Sequence, residues 1–84
     1  MKYSIVLARS AEKELKLLPK FVQEQVGKHL VALEANPRPP GIKKLRDREE
    51  YRLRVGNYRV LYTVNDTLGI VDVSVIEHRK EVYR

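Results

Sequence analysis

Residues 51–62 read YRLRVGNYRVLY, and their pattern decides how the chain folds. Tyr51, Leu53 and Val55 alternate with Arg52 and Arg54, and Tyr58, Val60, Tyr62 and Val64 alternate with Arg59, Leu61 and Thr63. A period of two marks strands with one buried face. Gly56-Asn57 between them is a two-residue hairpin signal. Counting outward from that loop puts Val55 opposite Tyr58, Arg54 opposite Arg59, Leu53 opposite Val60 and Arg52 opposite Leu61, so all three arginines share one face. Directly opposed side chains lie about 4.5 to 5.5 Å apart at Cβ, where like charges repel. The pair therefore asks for an anion between its members. A solvated edge that discourages aggregation is the plainer account of Arg52 and Arg54, and a three-residue loop would shift the register and break the pairing.

Working outward, Lys2 to Leu7 has strand composition, and Ser10 reads as the N-cap of a short helix with Glu12 and Glu14 in its first turn. Pro19 interrupts that helix and suits the first turn of a second, in which Val22, Val26, Leu30 and Leu33 form an apolar stripe. Pro37 ends it by Asn36. Residues 36–41, NPRPPG, are expected to be a connecting loop, and residues 65–69, NDTLG, a turn into a last strand from Ile70 to Ile76. Strand, helix, helix and three strands make an α+β fold: an N-terminal strand, a helical hairpin and a three-stranded antiparallel meander, with the helices on one face of a mainly antiparallel sheet. At 84 residues, residues 1–84 are expected to be one domain with a modest core.

There is no cysteine, so no disulfide framework or thiolate zinc site is available. The run from Ile5 to Ala8 is too short for a signal peptide or a membrane span, and a cytoplasmic protein without membrane contact is expected. The net charge of +6 is concentrated between Arg38 and Arg59, which carries +5. Such a segment suits a polyanion, because neutralising phosphates releases condensed counterions. Tyr51, Tyr58 and Tyr62 are expected in the core rather than as base-stacking platforms, and His29 as an ordinary surface histidine. Asp66 and Asp72 are too isolated for a metal cluster. No phosphate loop, zinc motif or nucleophile with its base is present, and no cofactor is expected.

Together with EHRKEVYR at residues 77–84, the hairpin motif resembles the RelE side of the RelE/ParE toxin superfamily, over nearly the whole chain. The resemblance implies a small basic toxin of a type II toxin-antitoxin system, an endoribonuclease that cleaves mRNA in the A site of the 70S ribosome without a metal, and a cognate antitoxin as partner. By position it implies catalytic roles for Arg54, Arg59, His78, Arg79 and Tyr83. Lys43, Lys44, Arg46, Arg52 and Lys80 are expected to hold RNA. Arginines would supply charge to a phosphorane-like transition state. The best-known RelE pattern has lysines where this chain has Arg52 and Arg54, and a guanidinium is a poor base, so proton transfer falls provisionally to His78 and Tyr83. Some relatives continue past the tyrosine into a helix that an antitoxin displaces; here an antitoxin is expected to cover the basic face or wrap around the fold. A ParE-like DNA gyrase poison without a catalytic site is the alternative, and a nucleic-acid-binding module or corepressor a third.

Overall fold

The computed structural model describes residues 2–45 and 50–78. Among them the order is β1 (Ser4–Leu7), α1 (Arg9–Leu17), α2 (Lys20–Ala35), β2 (Lys43–Lys44), β3 (Glu50–Val55), β4 (Tyr58–Asn65) and β5 (Ile70–His78). The strands form one sheet in the order β1-β5-β4-β3-β2, with β1 parallel to β5 and every other pair antiparallel. The α+β fold expected from the sequence is thus the observed one.

The hairpin has the register that a two-residue loop requires: Val55 opposes Tyr58, Arg54 opposes Arg59 and Tyr51 opposes Tyr62. Gly56 has φ of +58°, and no non-glycine residue described has a positive φ. Positive φ at the first loop position only is the type II′ pattern, whose twist matches that of the flanking strands. An alanine at this position would be strained even though no heavy atom lies near the place its Cβ would occupy.

One face of the sheet carries Tyr51, Leu53, Val55, Val60, Tyr62, Val71, Val73 and Ile76, which pack with Ala11 of α1 and Val26, Leu30 and Leu33 of α2 into the core. Tyr51 and Tyr62 are in that core, as expected; Tyr58 is half-buried at the hairpin end. A bulge lies between Leu61 and Tyr62, whose partners on β5 are Val75 and Val73. Ser74 is the extra residue. Its Oγ lies 3.0 Å from Glu50 Oε2 and 3.2 Å from the Leu61 carbonyl.

Three local expectations change. Ser10 is not the N-cap: Ala8 is, with no side-chain cap, because the Ala8 N–H already bonds to the Val73 carbonyl at 2.8 Å and helical bonding starts at once, from Glu12 N–H to the Ala8 carbonyl. At the corner between the helices, Gln23 Nε2 donates to the Leu18 and Lys16 carbonyls at 2.8 and 3.2 Å, supplying partners for carbonyls that the end of α1 leaves open. Strand β2 was not expected, since two lysines carry no period; it exists because Lys43 and Lys44 pair with Arg52 and Tyr51. Strand β5 also runs on through Glu77 and His78, opposite Arg59 and Tyr58.

The loop after α2 is pinned to the sheet. Tyr62 is fully buried, and its Oη donates to the Pro37 carbonyl at 2.8 Å. Next along, Arg38 donates from Nη1 and Nη2 to both carboxylate oxygens of Asp66, at 3.1 and 2.9 Å, and from Nε to Tyr51 Oη at 2.9 Å. Tyr3 Oη completes the cluster with a 2.7 Å bond to Asp66 Oδ1. The bonds from Arg38, then that from Tyr3, hold the Asp66 carboxyl below its ordinary range. Burial, then Tyr51, pushes the Tyr62 phenol up to about 12.

Two outcomes follow from this pinning. Tyr62→Phe keeps the ring but strands the Pro37 carbonyl, and should lose about 1–3 kcal/mol in denaturant unfolding. Asp66 has a lowered folded pKa, so its contribution is present above the unfolded value of about 3.9 and is lost as the pH falls through the folded value. The stability difference between wild type and Asp66→Asn should therefore be constant from about pH 6 to 8 and shrink below about pH 4. A difference unchanged down to pH 2 would remove the carboxylate from the clamp.

Candidate functional site

The face of the sheet opposite the core holds the charges that the hairpin alternation predicts. Successive side chains on a strand point to opposite faces, and register then sorts the residues into rows. Nearest the turn, Arg54, Arg59 and Glu77 stand side by side on β3, β4 and β5. The next row is Lys43, Arg52, Leu61 and Val75. Beyond it come Glu50, Thr63 and Asp72. The face is therefore polarised along the strands, cationic toward the hairpin turn and acidic toward the other end.

Spacing brings the cations at this end close to one another. Arg52 and Arg54 are two residues apart on one strand, roughly 6.6 Å, and Arg59 is directly opposite Arg54 at about 5 Å between Cβ atoms. Arg59 is 6% exposed, Arg52 half-buried and Arg54 exposed, so the three guanidinium groups are desolvated to different degrees. Lys43, Arg52 and Arg54 line a concavity of about 400 Å³ with Gly41 and Ile42. A phosphodiester there can be met by flat, forked donors that match its oxygens in pairs.

The other expected site residues are not all brought here. Lys44 pairs with Tyr51, one residue out of step with Arg52. His78 opposes Tyr58, and the two rings meet edge-on with centroids 4.9 Å apart. Because Tyr58 and His78 stand on the face of Val60 and Ile76, the register turns His78 away from Arg54 and Arg59. Arg46, Arg79, Lys80 and Tyr83 lie outside the described residues.

Two residues of the site region were not singled out from sequence. Glu77 joins the arginine row; the alternation of Val71, Val73 and Val75 carried on to position 77 would set it on the core face, and only the bulge at Ser74 brings it opposite Arg59. Arg38 was counted with the basic segment, yet its charge is spent on Asp66 at 2.9 Å, and it serves the fold. That pairing joins residues 28 positions apart, and no local pattern announces it. No described helix is long and apolar enough to cross a membrane.

Comparison with known proteins agrees with this architecture. Residues 5–83 match the family model of the ParE toxin of type II toxin-antitoxin systems. Among solved structures, the archaeal RelE–RelB complex from Pyrococcus horikoshii OT3 contains a chain 28% identical, superposing with a TM-score of 0.85 over 94% of this chain and 97% of that one. The isolated E. coli RelE toxin is 30% identical, with a TM-score of 0.82 over 96% and 90%. The intact E. coli RelBE toxin-antitoxin complex contains a chain 33% identical, with a TM-score of 0.79 over 90% and 95%.

Like charges directly opposed on neighbouring strands repel, and a substitution at Arg54 measures how much of that repulsion the pair carries. Arg54→Thr removes one member and leaves a residue that suits a strand, so the free protein should gain up to about 1 kcal/mol at low salt, with the gain fading as salt screens the repulsion. Added phosphate should stabilise wild type more than the variant in thermal melts. Equal stabilisation would show that the anion does not use this pair.

Proposed function

Since the chain belongs to the ParE toxin family of type II toxin-antitoxin systems, as a RelE-like toxin, we propose that it is a ribosome-dependent endoribonuclease that cleaves mRNA and is neutralised by a RelB-like antitoxin. The observation that carries this is the row of Arg54 and Arg59 beside Arg52 and Lys43 on the face of the sheet opposite the core. A poison that acts only by binding has no evident need to oppose two arginines, whereas a reaction that builds negative charge on phosphorus does.

In this reading the 2′-hydroxyl of the RNA attacks the adjacent phosphorus, and the bond to the 5′-oxygen breaks to leave a cyclic phosphate. Lys43 and Arg52 hold the strand. Arg54 and Arg59 face the equatorial oxygens as charge accumulates; Arg79, which the family resemblance places with them, completes the set. Arg54 is exposed and meets the phosphate directly, whereas Arg59, which is buried, has to be uncovered to do so. Glu77 beside Arg59 keeps the unoccupied cluster from carrying its full repulsion. With His78 packed on Tyr58, removal of the 2′-hydroxyl proton and delivery of a proton to the leaving 5′-oxygen are assigned first to Tyr83, and His78 is left to hold the end of β5 against the hairpin. The RNA is read on the ribosome, which presents the mRNA in the A site.

The antitoxin is assigned to the same face. Relatives of this fold are seen in complex with RelB antitoxins, and a partner with acidic side chains would occupy the cationic rows and exclude RNA. The ParE family model also keeps gyrase poisoning in view as the second reading. Expression in cells separates the two: rapid mRNA loss with intact DNA supports cleavage, while DNA damage with intact mRNA supports the poison.

On ribosome complexes, Arg59→Ala should lower the single-turnover cleavage rate on the order of 10² to 10³ with a smaller change in affinity. Tyr83→Phe should lower it roughly 10² or more, the scale of general acid or base work. Thermal melts accompany both. His78→Gln should change the melt more than the pH–rate profile; an inflection near pH 6 to 7 that this variant abolishes would return His78 to proton transfer.

A further inference from the structure

A second concavity, of about 290 Å³, adjoins the basic one and is lined by both α2 and the 36–42 loop. We infer that it is a nucleobase subsite, which takes the base of the nucleotide whose phosphate lies on Lys43, Arg52 and Arg54. The inference rests on the RNA-binding reading above and extends it to a part of the surface which the arginine row does not cover.

The sheet edge explains why the space exists. Strand β2 pairs only Lys43 and Lys44 with β3; continuing the ladder would set Ile42 against Leu53 and Gly41 against Arg54. Instead Gly41, at φ +92°, turns the chain away, and the edge parts. The basic concavity opens beside the parting, and the second one lies against α2, with Gly41 and Arg54 lining both. A ligand that spans them needs an anionic group joined by a short link to a flat, largely apolar one, and a nucleotide has that form.

The lining fits the flat part. Pro39, Pro40 and Leu53 give apolar walls, with Ala32 exposed on the helix side, and among the described residues no carboxylate lines the space. His29 supplies the polar group: its Nδ1 is 2.9 Å from the Gln25 carbonyl, which can only accept, so Nδ1 carries a proton and Nε2 is left for a ligand. The volume is near the low end of ligand pockets, roughly 300 Å³, suited to one base with its sugar rather than to a folded segment. The 36–42 loop is held by Tyr62 and by the Arg38 fork, so the walls are set before the ligand arrives.

The test is an NMR titration of the full-length toxin with a 2′-O-methyl RNA trinucleotide and with the same strand lacking its central base. The base-bearing strand should bind more tightly on the order of tenfold, the scale of one stacked base, and shift the amides of His29 and Ala32. Ala32→Leu fills the space from an exposed helical position; it should erase that advantage while leaving affinity for the abasic strand unchanged, and His29→Ala should reduce it. Arg54→Ala should weaken both strands. Equal binding of the two strands to wild type, with Arg54→Ala still weakening both, overturns the base subsite and leaves the phosphate site standing. If Arg54→Ala weakens neither strand, the phosphate site falls and the subsite with it. An Ala32→Leu variant that binds both strands as wild type does but loses affinity for the antitoxin assigns the space to a protein partner and likewise overturns the inference.

Discussion

Everything on the open face depends on the register of one hairpin. Two residues between β3 and β4 force Arg54 opposite Arg59, and the same count forces Tyr51 opposite Tyr62, with ring centroids 5.7 Å apart in the core. A slip of one residue would exchange the faces. The tyrosines would then meet water and the arginines the helices, at a cost far above the few kcal/mol that separate folded from unfolded. Core packing therefore enforces an arrangement which electrostatics opposes, and like charges stay together because their neighbours along each strand are locked on the other side.

The second constraint joins loops to the sheet rather than strand to strand. Arg38 reaches Asp66 with both ends of its fork and Tyr51 with its Nε, so it ties the loop after α2 to the turn before β5 and to β3 together. Exposed ion pairs contribute little by themselves. This one gains from geometry, since the bidentate contact and Tyr3 fix Asp66 in one position. Its effect on the site is indirect: the loop it holds leads to Gly41 and Lys43, which line the basic concavity. A substitution at Arg38 that altered RNA binding would thus report on loop position, not on lost contact with phosphate.

The strands of residues 51–76 were legible because alternation is local and the Gly-Asn turn fixes its own length. Arg54 against Arg59 came from counting alone. What escaped the sequence was set by distant partners. Ser10 looked like a cap, but the Val73 carbonyl had already fixed where α1 begins; Lys43 and Lys44 became a strand only because β3 offered an edge. His78 shows the limit most clearly. The family resemblance put it with Arg54 and Arg59, yet its place on β5 opposite Tyr58 sets it on the other face of the sheet. The end of β5 could not be read locally, because the bulge at Ser74 resets the alternation that a count from Ile70 would use.

That bulge also bears on how the arginine row is built on strands. An extra residue in β5 lets Val71 and Val73 on one side of it, and Ile76 on the other, all reach the core, and it leaves Glu77 rather than His78 on the arginine face. Without it, the residues beyond position 74 would change faces and the arginine row would lose its only described carboxylate. Strand spacing fixes where the backbone of each cation stands, and only the exposed Arg54 keeps the freedom to swing its guanidinium away. Glu77 stands in the same row as Arg54 and Arg59, where an opposite charge offsets part of the repulsion between like ones.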